Sequence, residues 1–245
     1  MAQKPPQRID APAPGANPAT FIFLHGFGDD ADGWTNIAQQ FHAANKLPHL
    51  SWVFPNAPHN HEAMTAAWYT PTSFSPIPVG RSSGGAGPAA TEEADEAEHE
   101  ILSSVEYVCG LVDDEVARGV PLRRIVVGGF SQGCAVSLVA GLASRYQGRL
   151  GAVVGLSGYL PTGEKIAEGR KRYEKGGEGG MKVFLAHGTK DMLVPMRVYR
   201  DTKARVAQTV GEEMLETHEY EGMGHVASGP EFRDMSEFLE KVVPA

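Results

Sequence analysis

Ser131 stands in the run Gly129-Phe130-Ser131-Gln132-Gly133. Before it, Arg124-Ile125-Val126-Val127 closed by Gly128 reads as a buried strand. After it, Cys134 to Leu142 is a helix-like run of small and apolar residues. A serine on a strand-to-helix bend between two glycines is a candidate nucleophile. The reason is steric. The bend forces a strained backbone at the serine, and a Cβ two residues to either side would clash. The bend also sets the hydroxyl at a helix N-terminus, where backbone N–H groups favour a developing oxyanion.

A serine hydroxyl is too weakly acidic to attack alone. It needs a general base, and the base needs an anion to fix its tautomer. Asp191, in His187-Gly188-Thr189-Lys190-Asp191, follows the apolar strand 182–186. His225, in Glu221-Gly222-Met223-Gly224-His225, follows the weakly alternating strand 214–220. Both lie in loops after strands and downstream of the serine. The rivals fit worse. His218 sits inside a strand, His187 shares one turn with Asp191, Asp201 falls mid-helix, and Asp234 comes after the histidine. Two backbone donors are needed for the oxyanion. One is expected from Gln132, next to the nucleophile. The other is expected from Phe27 in His25-Gly26-Phe27-Gly28, the loop after an early strand. Such a donor is worth roughly 3–4 kcal/mol of transition-state stabilisation. The His25 imidazole is expected to brace this loop. His59-Asn60-His61-Glu62 lacks both nearby cysteines and a helical i,i+4 pair, so it reads as a surface loop and not a metal site. The chemistry requires no cofactor and no metal.

The elements that must carry these residues alternate between strand and helix, which predicts an open, mainly parallel central sheet with helices on both faces. Residues 1–19 form a Pro-rich N-terminal arm, and 20–245 are expected to form one α/β domain. Residues 20–24, 51–54, 150–157 and 182–186 read as buried strands. Trp34 to Lys46 reads as a helix with Asp32 as N-cap. Thr91 to Gly119 reads as a long helix with an acidic start, and helices are predicted over Pro195–Val210 and Pro230–Val243. Gly163 to Gly180 is polar and Gly-rich and is expected to be a surface excursion. Residues 55–90 carry six prolines and the tract Ser82-Ser83-Gly84-Gly85-Ala86-Gly87. Their apolar members (Met64, Trp68, Tyr69, Phe74, Ile77, Val79) predict an active-site cover followed by a linker.

The chain has 245 residues, 42% hydrophobic and 21% charged, a size and composition ordinary for one globular α/β unit. Its net charge of −8 argues against nucleic acid or an anionic membrane as main partner. Two cysteines, Cys109 and Cys134, make no disulfide framework and suit a reducing compartment. The first residues hold no apolar core of a signal peptide, and no run reaches membrane-spanning length. Position 2 is Ala2, not the glycine of a myristoylation site, and the C-terminus lacks a cysteine to prenylate. A cytoplasmic location follows as the expectation.

The sequence resembles the phospholipase/carboxylesterase family of α/β-hydrolases, to which acyl-protein thioesterases belong. The matching stretches are Phe23-Leu24-His25-Gly26-Phe27-Gly28-Asp29, Pro55-Asn56-Ala57-Pro58, Gly128 to Gly133, Leu156-Ser157-Gly158-Tyr159-Leu160-Pro161, His187 to Asp191 with Val194-Pro195, and Gly222-Met223-Gly224-His225. They run in family order over nearly the whole chain. The resemblance implies a triad of Ser131, Asp191 and His225 with Phe27 and Gln132 amides as the oxyanion hole, in agreement with the order argument. It also implies cleavage of esters or thioesters through an acyl-enzyme. Protein depalmitoylation, lysophospholipid hydrolysis and short-chain ester cleavage compete as readings, and a non-catalytic binding protein on the same scaffold is the reading from another class. Acyl substrates, free or on proteins, are the implied partners. Trp68 and Phe74 are expected to contact an acyl chain. The chain departs from the family at Trp68-Tyr69-Thr70, where an aspartate is common in place of Thr70, and the stretch on to Thr91 is longer than usual.

Overall fold

A computed structural model describes residues 3–13, 15, 17–71, 88–173 and 180–245, with backbone alone for 88–96. Four strands of mostly apolar residues run parallel at its centre: β2 (Ala19–Leu24), β6 (Ile125–Phe130), β7 (Ala152–Leu156) and β8 (Lys182–Gly188). They are flanked by β3 (Leu50–Phe54) and β9 (Leu215–Tyr220), also parallel, and by the antiparallel β1 (Gln7–Ile9). The strand order is β1-β3-β2-β6-β7-β8-β9. A small antiparallel pair, β4 (His59–Asn60) with β5 (Thr65–Ala66), stands apart.

Strand periodicity decides which helix covers which face, since successive side chains point to opposite sides. Phe21 and Phe23 of β2 pack with Val126, Val154 and Phe184 under α1 (Thr35–Ala43) and α6 (Gly229–Val242). Ile22, Leu24, Val127, Val153 and Leu185 point the other way. There they meet α2 (Pro88–Ala117), α3 (Gln132–Ala143), α4 (Glu164–Tyr173) and α5 (Met196–Val210). The expected α/β architecture with helices on both faces is therefore observed. Every residue of α3 is buried, which explains its lack of a polar face.

Several local expectations change. The N-terminal arm is not separate from the sheet: Gln7, Arg8 and Ile9 pair with Phe54, Val53 and Trp52. Asp30, not Asp32, caps the first turn after β2, a 3₁₀ turn over Ala31–Gly33, and α1 starts only at Thr35. The turn forms because Asp30 accepts the Asp32 N–H. The 163–180 region, expected to be a surface excursion, holds α4, a charged amphipathic helix whose only buried residue is Ile166. Glu98 of α2 accepts the Ile166 N–H at 2.8 Å, a start signal 68 residues away in sequence. The long helix begins at Pro88, before Thr91. Of the expected cover, Met64 is exposed while Trp68 and Tyr69 are buried. Phe74, Ile77, Val79 and the tract 82–87 lie outside the described residues.

Parallel pairing puts the carboxyl ends of the strands along one edge. Leu24 aligns with Gly129, Phe130 with Leu156, Leu156 with Ala186, and Gly188 with Tyr220. The loops that follow β2, β6, β8 and β9 therefore open side by side.

Candidate active site

Ser131 links β6 to α3 with φ 55° and ψ −115°, a backbone region that non-glycine residues rarely occupy. The surroundings enforce it. The Ser131 N–H donates to the Leu156 carbonyl at 2.9 Å, and the Ser131 carbonyl accepts from Ala135 in the first turn of α3. A Cβ on Gly129 would lie 2.5 Å from Leu24 O, and one on Gly133 only 2.3 Å from the same atom. The two glycines thus let α3 close onto the end of β2, which holds the serine beside the His25–Phe27 loop.

Asp191 and His225 come from adjacent loops that are tied together. Thr189 N–H donates to the Tyr220 carbonyl at 3.0 Å, and Lys190 N–H to the Met223 carbonyl at 2.9 Å. This places His225 Nδ1 2.7 Å from Asp191 Oδ2, and His225 Nε2 2.9 Å from Ser131 Oγ. A carboxylate can only accept, so Nδ1 carries the proton and Nε2 accepts from the serine. The other carboxylate oxygen, Asp191 Oδ1, accepts from Leu193 N–H at 2.9 Å and Val194 N–H at 2.8 Å. Burial alone would raise the Asp191 pKa. The His225 hydrogen bond and the Val194 N–H overcome that effect and leave it lowered, so the group is an anion at neutral pH. The His225 ring leans on Phe130 at a centroid distance of 4.8 Å, and Phe130 on Trp34 at 5.2 Å.

The rivals have other work. His187 is fully buried behind Asp191. It stacks on Tyr199 and donates from Nε2 to the Val194 carbonyl at 2.7 Å. Burial pushes its pKa down. His218 lies between Glu216 and Asp234 and stacks on Phe184. Asp234 accepts the Tyr220 hydroxyl at 2.8 Å.

The loop after β2 turns at Gly26–Asp29, with Asp29 N–H on the Gly26 carbonyl at 3.4 Å and Gly28 at φ 75°. A positive φ at the third position of a turn favours glycine. His25 braces the loop as expected: its Nε2 accepts the Ala57 N–H at 3.0 Å and its Nδ1–H faces the Gly26 carbonyl at 2.7 Å. Among the described residues no acceptor bonds the N–H of Phe27 or of Gln132. Two such amides on the loops that flank the serine can bind an oxyanion.

Trp68, expected against an acyl chain, is only 2% exposed. Its ring packs on His25, and its indole N–H donates to the His25 carbonyl at 2.8 Å. Phe74 lies outside the described residues. At Thr70 a carboxylate arrives from another element: Glu100 of α2 accepts the Thr70 N–H, while Asn60 donates to the Thr70 hydroxyl at 2.7 Å. Among the described residues no group of three or more His, Cys, Asp or Glu side chains could hold a metal ion. The Gln132 carboxamide, for which the sequence predicts no role, is buried and bridges to Trp68 and Tyr69. Nothing local marks it, because its partners lie more than sixty residues earlier.

Residues 8–243 match the phospholipase/carboxylesterase family. Among curated relatives, acyl-protein thioesterase 1 of Yarrowia lipolytica is 33% identical over 98% of each chain. Acyl-protein thioesterase 1 of Mycosarcoma maydis is 35% identical over 96% of this chain and 95% of that one. Among solved structures, Zea mays acyl-protein thioesterase 2 superposes with a TM-score of 0.72 at 20% identity, covering 97% of this chain and 98% of that one. The Bacillus cereus carboxylesterase gives 0.67 at 14% identity, with 97% and 93% covered. At such identities the structures speak for the fold.

Proposed function

The chain belongs to the phospholipase/carboxylesterase family, and on that premise we propose that it is a serine hydrolase that cleaves carboxylic esters and thioesters through an acyl-enzyme. The observation that carries the reading is the hydrogen-bonded series Asp191–His225–Ser131 beside two amides that no acceptor among the described residues bonds. His225 Nε2 takes the Ser131 proton as Oγ attacks the acyl carbonyl. The carbonyl oxygen, now negative, binds the Phe27 and Gln132 amides. Collapse expels the alcohol or thiol, which leaves with the proton from His225. Water then repeats the sequence on the acyl-enzyme. Asp191 keeps the imidazole in the required tautomer and stabilises the imidazolium.

The substrates are acyl groups on small molecules or proteins. Relatives named acyl-protein thioesterase favour this class. The surface agrees: among the described residues, Phe27, Met64, Met192, Leu193 and Val226 account for five of the six exposed large apolar side chains. Phe27, Met192, Leu193 and Val226 lie on the loops that carry the site, and Met64 lies on the β4–β5 hairpin that bonds to the first of them. An apolar surround suits a fatty chain better than a short polar one. Action in the cytoplasm is part of the proposal, supported by the free, buried thiols of Cys109 and Cys134. Among the described residues no helix is long and apolar enough to cross a membrane.

A p-nitrophenyl ester is expected to give a burst of product that Ser131→Ala abolishes, along with fluorophosphonate labelling at Ser131. Undiminished turnover by that variant would refute the mechanism. A rate profile across acyl lengths, on oxygen and sulfur esters, is expected to rise toward long chains. A maximum at acetate would favour a general short-chain esterase.

A further inference from the structure

The two amides of the oxyanion site come from loops of different strands, β2 and β6. Sheet register fixes the strands, but a loop can still drift. An oxyanion is stabilised only if both donors reach one oxygen, and an error near 1 Å removes much of the benefit. Some element must therefore hold the two loops at a set distance.

Residues 66–69 bond to both. On one side, the Ala66 carbonyl accepts the Gly28 N–H at 2.9 Å, and the Trp68 indole N–H donates to the His25 carbonyl at 2.8 Å. These bonds hold the turn that carries Phe27. On the other side, the Trp68 backbone N–H donates to Gln132 Oε1 at 3.1 Å, and Gln132 Nε2–H donates to the Tyr69 carbonyl at 2.9 Å. These hold the first residue of α3. The strap is anchored in turn. Ala67 N–H donates to the Pro58 carbonyl at 3.1 Å, Ser104 Oγ–H donates to the Trp68 carbonyl at 2.5 Å, and the Tyr69 and Tyr159 hydroxyls lie 2.5 Å apart.

Burying a carboxamide is costly unless its polar atoms are bonded, and an apolar side chain would fill the same space without that cost. Gln132 is wholly buried, and its oxygen and nitrogen bond two successive backbone groups of the strap. That arrangement measures position as well as filling volume.

We propose that the Trp68 indole and the Gln132 carboxamide are positioning residues of the oxyanion site, which together set the separation of the Phe27 and Gln132 amides. This rests on the hydrolase reading above. Trp68 then acts through the His25–Phe27 loop and not by contact with an acyl chain.

The test compares the wild type, Trp68→Phe and Gln132→Met. Trp68→Phe keeps an aromatic ring but loses the N–H to His25. Gln132→Met keeps the length but loses both bonds. The probe is an alkyl trifluoromethyl ketone. Ser131 Oγ adds to its carbonyl carbon, the serine proton passes to His225, and the carbonyl oxygen becomes an alkoxide in the oxyanion site. Each variant is expected to lose about ten- to a hundredfold in kcat and a similar factor in ketone affinity. KM is expected to stay within about twofold, and the midpoint of the kcat/KM pH profile to stay in place, because the His225–Asp191 pair is untouched. Wild-type ketone affinity in a folded variant, or a loss confined to KM, overturns the proposal. If Trp68→Phe does not melt cooperatively, Ser104→Ala removes only the anchor on the Trp68 carbonyl. It carries the same expectation at about three- to tenfold, and unchanged ketone affinity there overturns it as well. A wild type with no Ser131-dependent turnover overturns the hydrolase reading and this inference with it. Wild-type turnover with indifferent variants overturns this inference alone.

Discussion

Glu231 stands at the third position of α6, six residues after His225, with its carboxyl group buried. Its Oε2 accepts the Ser228 N–H at 3.3 Å, while Oε1 has no partner among the described residues. Burial, opposed by the Ser228 bond, pushes its pKa up from 4.5 to about 8. The folded chain therefore keeps a proton that the unfolded chain releases. The stability from this group is complete below about pH 4.5 and is lost as pH rises to about 8. Glutamine also serves the capping box, and it does not titrate. Glu231→Gln is therefore expected to gain stability relative to wild type as pH rises from about 5 to 8, by at most about 1.4 kcal/mol per pH unit. Urea unfolding at several pH values checks this, and parallel pH curves for the two proteins would refute it.

At the scale of elements, two glycines show opposite roles. A Cβ on Gly133 would lie 2.3 Å from Leu24 O and 2.6 Å from His25 O, both backbone atoms at the end of β2. Gly133→Ala must push α3 away from that strand and carry Ser131 with it. A loss of turnover of more than about a hundredfold is expected, with a lowered melting temperature. Gly110, inside α2, has nothing within 4 Å of a built Cβ. Gly110→Ala is expected to stabilise by about 0.5–1 kcal/mol through helix propensity, with turnover unchanged. Calorimetry with a p-nitrophenyl ester assay reads both variants.

Across the whole molecule, the two ends of the strands do different work. The carboxyl ends carry the site. The amino ends carry the bonds that close the sheet. Glu115 of α2 is buried and gathers Arg8 of β1 at 2.5 Å, the Thr20 hydroxyl of β2 at 2.6 Å and Arg118 at 3.5 Å. Arg124 donates to the carbonyls of Asn17, Pro18 and Pro244, tying the arm to the last residues. Glu115→Ala strands the buried Thr20 hydroxyl without an acceptor and leaves the half-buried Arg8 with Asp10 alone. A loss of about 2 kcal/mol is expected, below the full figure for a buried pair because water still reaches Arg8. The kcat is expected to hold, since the change lies at the far end of the strands. Chemical denaturation and steady-state rates check both halves.

The alternation of strand and helix, the bend at Ser131 and the order of Ser131, Asp191 and His225 are legible in the chain's residues alone. Each of these rests on local physics. Continuous apolar runs make strands buried on both faces, glycines flank a strained turn, and loops after parallel strands share one edge. The expectation that His25 braces its own loop agrees with its bonds to the Ala57 N–H and the Gly26 carbonyl. The rest depends on contacts between distant segments that the folded chain brings together. The fold turned residues 7–9 into an edge strand, since a three-residue strand gains its bonds from β3 and has no pattern of its own. It made 164–173 a helix, whose start is set by Glu98 from α2. It buried Trp68 against the His25–Phe27 loop, and it gave the Gln132 carboxamide its partners. Trp68 and Gln132 lie 64 residues apart, and a hydrogen bond across that distance leaves no periodicity to read. A side chain's type limits which bonds it can make, and the fold alone decides which partner stands within 3 Å of it.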